Sequence, residues 1–239
     1  MVNTPTLFQE RTLRAQGHAL VGGLDEVGRG AWAGPLTVGV AVVKPRAVRS
    51  MPAWLRDSKQ LSEMRREEIF DSVASWCVDW SIGHASPEEC DAWGMTMALR
   101  VAAERAIGGL RLSPDALLVD GPVNLLRRPE SEPGGFGGVV KPVVKGDARC
   151  ASVAAASVLA KVVRDRIMRG EVEHYPAYGF DLNKGYPSPR HQMALQGYGM
   201  SAVHRRWAYA EDLAWRDWRA PIRRACDQGL DRSNPGDPG

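Results

Sequence analysis

Four acidic residues stand where chemistry could be done. Asp25 and Glu26 close an apolar run, Ala19–Leu24; Asp120 closes a second, Ala116–Val119; Asp147 follows a third, Val139–Val144. Carboxylates gathered at strand ends repel one another unless positive charge lies between them. Hard oxygen donors of this kind suit Mg²⁺ or Mn²⁺. Two such ions can bracket a phosphodiester, one activating water and the other stabilising the leaving oxygen. Each residue also has a plain structural reading. Alternation along a strand points neighbours to opposite faces, so adjacency alone does not bring Asp25 and Glu26 to one site. Asp120-Gly121 makes an ordinary turn pair, and Asp147 stands where a helix wants an N-cap.

The elements that must position these groups follow from patterning. Leu36–Val43 is β-branched and apolar, and predicts a strand buried on both faces. The glycine-rich link from Gly28 to Gly34 makes it the partner of the first run in a bent hairpin. Leu61–Trp76 has helical spacing, with Ile69, Val73 and Trp76 on one side. Ser86-Pro87-Glu88-Glu89 is a helix start with a capping residue, a proline at the first turn and a capping-box glutamate. Trp93, Met97 and Val101 then fall four apart, a stripe expected in the core; Gly108-Gly109 ends that helix. Arg149–Arg169 predicts a long helix whose small residues (Ala151, Ala154, Ala155, Ala156, Ser157, Ala160) allow close approach to a sheet. Further helices are expected near Pro189–Gln196 and Ser201–Trp218, and Leu125–Gly138 reads as a flexible loop.

Strands come first and then alternate with helices, which predicts an α/β fold with a mixed β-sheet flanked by helices and a C-terminal helical cap. Residues 1–18 read as a ragged N-terminal arm, 19–220 as one domain with the cap from about 187, and 221–239 as a disordered tail.

The 239 residues carry a net charge of +3, too mild to prove a nucleic-acid partner, but its distribution is uneven. Lys141–Gly170 holds seven Lys/Arg against two Asp, and Lys184–Tyr209 four Lys/Arg and no acids. A basic C-terminal half fits phosphate contacts, although a solvated helix face looks the same. Cys77, Cys90, Cys150 and Cys226 match no zinc spacing and read as reduced thiols. The five histidines (His18, His84, His174, His191, His204) show no ligand spacing and are expected to be structural. Without a signal-peptide core or an apolar run of about 18 residues, a soluble, cytoplasmic protein with no membrane contact is expected.

Joint wording decides among these readings. Gly23-Leu24-Asp25-Glu26-Val27-Gly28-Arg29-Gly30 with Ala33-Gly34-Pro35 resembles the signature of type 2 ribonucleases H, in the ribonuclease HII branch. Further stretches agree in order: Asp57-Ser58-Lys59-Gln60-Leu61-Ser62; Leu118-Val119-Asp120-Gly121; Val144-Lys145-Gly146-Asp147, running into Ala154–Asp165; Tyr178-Gly179-Phe180 with Lys184-Gly185-Tyr186-Pro187; and His204-Arg205-Arg206. Together they span roughly residues 20–209.

The resemblance implies a ribonuclease H-like core, with Asp25, Glu26, Asp120 and Asp147 holding two Mn²⁺ or Mg²⁺ ions. It implies in-line attack of water that leaves a 3′-hydroxyl and a 5′-phosphate. The partners it implies are RNA/DNA hybrid and duplex DNA with embedded ribonucleotides, with roles in ribonucleotide excision and primer removal. It further implies that Gly28-Arg29-Gly30 contacts the 2′-hydroxyl and that Tyr186 packs on the neighbouring deoxyribose. Lys59, Lys161, Lys184, Arg205 and Arg206 are the phosphate-contact candidates, each equally able to pair locally, and Asp165 is expected to be structural. Two departures stand out. Trp32 replaces a smaller aliphatic residue and is expected to alter the substrate groove, and the 125–138 loop looks long. The tail lacks the glutamine-to-paired-aromatic pattern of sliding-clamp motifs, so no such docking is expected, and a monomer is. Two rivals remain: a hybrid-binding protein without catalysis, and another two-metal nuclease of the same fold.

Overall fold

The computed structural model describes residues 4–43, 51–126 and 135–206. Its centre is a five-stranded sheet built from β1 (Val21–Val27), β2 (Leu36–Val43), β3 (Cys77–Ala85), β4 (Ala116–Asp120) and β5 (Val139–Val143). The strand order is β3-β2-β1-β4-β5. β1 and β2 form the expected antiparallel hairpin, with Asp25 opposite Gly39, and β2 pairs antiparallel with β3. β4 runs parallel to β1 and β5 parallel to β4. The mixed α/β sheet expected from the sequence is therefore present.

Helices α2 (Glu63–Trp76), α3 (Pro87–Gly108) and α5 (Ala151–Gly170) cover the sheet, with short α4 (Gly146–Arg149) leading into α5. α5 lies on one face with α2, where Ala154, Ala155, Val158 and Leu159 meet Ala41, Val43, Ile69 and Val73. Its small side chains let it come very close. A Cβ on Gly23 would lie 2.2 Å from the Ser152–Val153 backbone, and one on Gly39 2.6 Å from the Ala156 carbonyl. α3 packs on the other face, against Leu24, Val38, Val40, Leu117 and Val119. Ser86 and Glu89 complete the capping box at its start.

Several expectations need correction. The ragged arm contains helix α1 (Phe8–Ala15), whose Leu13 is buried against β1 and β4. Its Glu10 is fully buried and accepts bonds from the Ser152 amide and hydroxyl, so it caps the start of α5 from a distance. The Trp93/Met97 stripe is not core. Gly94 takes positive φ and breaks α3 there, so the fourfold spacing does not hold one face; Trp93 and Met97 are exposed, while Ala98, Ala102, Ala103 and Ala106 are buried. β3 escaped the sequence reading because Asp79, Ser81 and His84 dilute it; it is an edge strand with one neighbour. Of the C-terminal cap, α7 (Pro189–Tyr198) is present after the one-turn helix α6 (Phe180–Asn183), whereas 201–206 form turns and a bridge rather than the start of a helix. The remainder of that expected helix, the 221–239 tail, Cys226 and most of the 125–138 loop lie outside the described residues. Cys77, Cys90 and Cys150 are buried.

Candidate active site

The sheet delivers its carboxylates to one end. Gly23 and Asp25 face α5, where Asp25 meets Ser157. The parallel register pairs Leu24 with Val119, so Asp25 and Asp120 are the next residues on neighbouring strands. Asp120 Oδ1 accepts from the Gly146 amide at 2.6 Å, which ties the start of α4 to the end of β4 and sets the adjoining Asp147 beside it. Glu26 leaves β1 on the opposite side, yet Asp120 still raises its pKa across the strand end. The alternation problem is solved by position: at a strand terminus both sides reach the same rim.

The electrostatics follow from this crowding. Burial pushes the Asp25 carboxyl well above the usual range, and Glu26, Asp120 and Asp147 push it further. Burial raises Glu26 with help from Asp120, against Arg29 3.9 Å away. Asp147 is raised by burial, then by Asp120 and Asp57, against the Lys59 ammonium at 3.4 Å. Burial works against the charge of Lys59, but Asp147, Asp25 and Asp57 outweigh it and hold that pKa up. Among the described residues, no group of three Asp, Glu, His or Cys side chains is placed so that it could hold a metal ion. The all-oxygen donor set fits hard divalent ions.

An open cleft of about 880 Å³ adjoins these groups, lined by Trp54, Arg56, Lys59, Lys145, Asp120 and Asp147 among others. Trp54, Arg56 and Lys145 were not singled out in the sequence; a basic and aromatic wall beside the acids was the signal available. Ser58 and Ser157, hydrogen-bonded at 2.8 Å and buried, were also missed.

The second part of the site is backbone. Gly28 has φ +88°, and a Cβ there would fall 2.2 Å from the Arg164 Nε, so glycine is required on both conformational and steric grounds. The Gly28 amide donates to the Tyr186 hydroxyl at 3.1 Å. Lys161 Nζ and Arg164 Cζ lie over the Tyr186 ring, 5.5 and 5.3 Å from its centroid. Gly30 opens onto free space, and the Arg29 side chain is 65% exposed.

The Tyr186 backbone is fixed by two histidines. Ser201 N–H donates to His204 Nδ1, the two Nε2 atoms share a 2.9 Å bond, and His191 Nδ1 bonds the Tyr186 carbonyl. Neutral rings satisfy this chain if His204 carries its proton on Nε2 and His191 on Nδ1. Burial lowers both pKa values, that of His204 to about 3. The structural role expected for these two histidines is observed.

Among the expected phosphate contacts, Lys59 is exposed at the carboxylates and Arg206 is exposed on the surface. Three others have different work. Lys184 is 4% exposed and bonded to Glu63; Arg205 is fully buried on backbone carbonyls; Lys161 donates to Asp165 at 2.6 Å. Burial takes Lys184 and Arg205 off the surface that a phosphate could reach, while Lys161 is half-buried and paired with Asp165. Asp165 is structural, held by Arg66 and Lys161. Trp32 is also corrected: it is 6% exposed and packs on His191, so its bulk goes inward and not into a groove.

Known proteins share this sequence and this fold. A family model described as Ribonuclease HII matches residues 22–210. The Ribonuclease HII of Streptomyces coelicolor is 47% identical over 215 residues, covering 89% of this chain and 88% of that protein. The crystal structure of the ribonuclease H2 from Pyrococcus horikoshii superposes with a TM-score of 0.68 at 29% identity, over 85% of this chain and 99% of that one. Bst-RNase HIII in complex with Mn²⁺ shares the fold, with a TM-score of 0.67 at 19% identity, over 87% of this chain and 71% of that one.

Proposed function

The chain belongs to the ribonuclease HII family and is a ribonuclease H enzyme, and from that premise we propose that it nicks 5′ to ribonucleotides embedded in duplex DNA as well as cutting the RNA strand of hybrids. The observation that carries this reading is the convergence of Asp25, Glu26, Asp120 and Asp147 on one sheet end, each electrostatically coupled to others. The four carboxylates would hold two Mn²⁺ or Mg²⁺ ions, which supply an activated water and stabilise the leaving oxygen of an in-line displacement.

The chain's own residues do the rest. β1 and β4 present Asp25 and Asp120 side by side, and α4 brings Asp147 to them. Lys59 shields Asp147 while its long stem lets it move toward a phosphate. Telling RNA from DNA depends on the 2′-hydroxyl, both a donor and an acceptor. The Gly28–Gly30 backbone would approach a sugar at Gly30, where no Cβ intervenes and the space is open, and Tyr186, bonded to Gly28, would offer its ring to the next deoxyribose. No Ser, Cys or His of the site is needed as a nucleophile, so products with a 3′-hydroxyl and a 5′-phosphate are expected. Among the described residues no helix is long and apolar enough to cross a membrane. We place the enzyme in the cytoplasm, acting as a monomer in ribonucleotide excision and primer removal.

A duplex with one labelled embedded ribonucleotide tests this. Incubation with Mn²⁺ or Mg²⁺ is expected to give one nick on its 5′ side, abolished by EDTA. No nick with any divalent ion would favour a binding protein; equal cutting of all-DNA duplex would favour another nuclease.

A further inference from the structure

The loop from Gly28 to Pro35 carries the sugar-facing turn but has no regular structure of its own. Five of its carbonyls, those of Gly28, Trp32, Ala33, Gly34 and Pro35, are nonetheless held by two arginines. Arg164, from α5, donates to Ala33 O, Pro35 O and Lys184 O, each at 2.9 Å. Arg205 donates through Nη1 to Gly28 O at 2.7 Å and through Nε to Gly34 O at 2.9 Å. Its own amide donates to Trp32 O. Both arginines are fully buried. The Arg205 Nη2 has no hydrogen-bond partner, although it too is buried.

A surface phosphate contact is excluded by this burial. A filler role is also a poor fit, because burying a guanidinium on neutral carbonyls is costly: desolvation lowers the Arg205 pKa to about 10. An apolar side chain would fill the space with less penalty. What an apolar residue cannot do is bridge Gly28 and Gly34, six positions apart, with two donors in one rigid plane. That bridge closes the mouth of the loop and fixes the peptide plane between Gly28 and Arg29.

We infer that Arg205 is a positioning residue for ribose discrimination, holding the Gly28-Arg29-Gly30 backbone at the height from which it meets a 2′-hydroxyl. This rests on the substrate reading above. Arg205 touches no reacting atom; it acts through the Gly28 carbonyl, as Tyr186 acts on the Gly28 amide from the other side. The two hold one residue by both of its backbone hydrogen-bonding groups. Loss of Arg205 therefore affects discrimination more than the carboxylates' chemistry.

Arg205→Lys keeps the charge and loses the planar two-point bridge. Two readouts are made on the folded variant, with Arg205→Gln as the second variant should Arg205→Lys not fold. The first is cleavage 5′ to a single embedded ribonucleotide relative to the same duplex with a 2′-fluoro sugar at that position, which differs only in the 2′ group. We expect the ratio to fall about ten-fold, the scale of one lost charge-assisted hydrogen bond. The second is amide hydrogen exchange without substrate, expected to quicken in 28–34 and not in β1 or α5. Equal loss on both substrates, or unchanged exchange in 28–34, overturns the role. Wild-type protein that ignores the embedded ribonucleotide would sink the substrate reading instead; faster exchange at 28–34 would then still report the brace.

Discussion

The carboxylate rim and the glycine turn sit side by side but are built by opposite rules. At the rim, the side chains come from regular elements, and their charges are left in conflict: Asp25, Glu26 and Asp147 all have raised pKa values. At the turn, the backbone is irregular, and its hydrogen bonds are answered by Tyr186, Arg164 and Arg205. The rim keeps like charges in conflict, only partly offset by Arg29 and Lys59, and under the proposed function two cations would answer them. The turn is satisfied in hydrogen bonding, so its shape is set before substrate arrives. Preorganised backbone can then discriminate between sugars at no ordering cost on binding.

The sharpest way to break this comparison is at the rim. Asp25→Asn and Asp120→Asn are each expected to lower cleavage by at least about 10³-fold, on the order of losing one member of a catalytic unit. Because each removes a repelling charge, the metal-free protein should melt a few degrees higher, at roughly 2–4 °C per kcal/mol for a chain of this size. Calorimetry with and without Mn²⁺ checks it. The wild type should gain from the ion and the variants should gain less. Ordinary turnover, or a lower melting point in both variants, contradicts an unsatisfied rim.

At the turn, Tyr186→Ala is expected to cost about ten-fold more on one embedded ribonucleotide than on a long hybrid, roughly 1.4 kcal/mol of selectivity. Tyr186→Phe, which keeps the ring and drops the bond to Gly28 N, should fall between. Equal losses on both substrates would remove the sugar-facing role.

A smaller effect is expected behind the turn. His191 and His204 are held neutral, with folded pKa values below the ordinary 6.5. A base whose folded pKa is depressed binds fewer protons when native, so its contribution is complete above about pH 6.5. It is lost as pH falls toward the His204 value of about 3. Urea midpoints between pH 7 and pH 5 should drop, and a His191→Asn, His204→Asn double variant should flatten that slope.

The smallest effect separates exposed from buried cations. Lys59→Ala is expected to reduce the salt dependence of hybrid binding by about one phosphate contact, and Lys184→Gln to leave it unchanged. A reduced slope in the Lys184 variant would place its ammonium on the substrate after all.

Much of this was legible in the chain. The runs ending at Leu24, Val43, Val119 and Val144 became β1, β2, β4 and β5 because apolar, β-branched segments have little alternative to a buried strand. The Ser86 capping box and the small residues of α5 were equally plain, since their physics is local. The acids at the ends of those runs could be picked out for the same reason. The Trp93 stripe misled because Gly94 interrupts the helix on which the period depends, and Glu10 was passed over because an acid in a polar stretch carries no sign that it will be buried.

The sequence by itself determined which backbone segments pair and pack, and which carboxylates stand at their ends. Only the tertiary structure decided which cations are buried. Lys184 and Arg205 are chemically the same as exposed Lys59 and Arg206, and nothing in their immediate neighbours tells a phosphate contact from a brace. Burial and partner choice depend on residues more than a hundred positions away, such as Glu63 for Lys184 and Gly28 for Arg205. Composition and periodicity are short-range quantities, and desolvation is not.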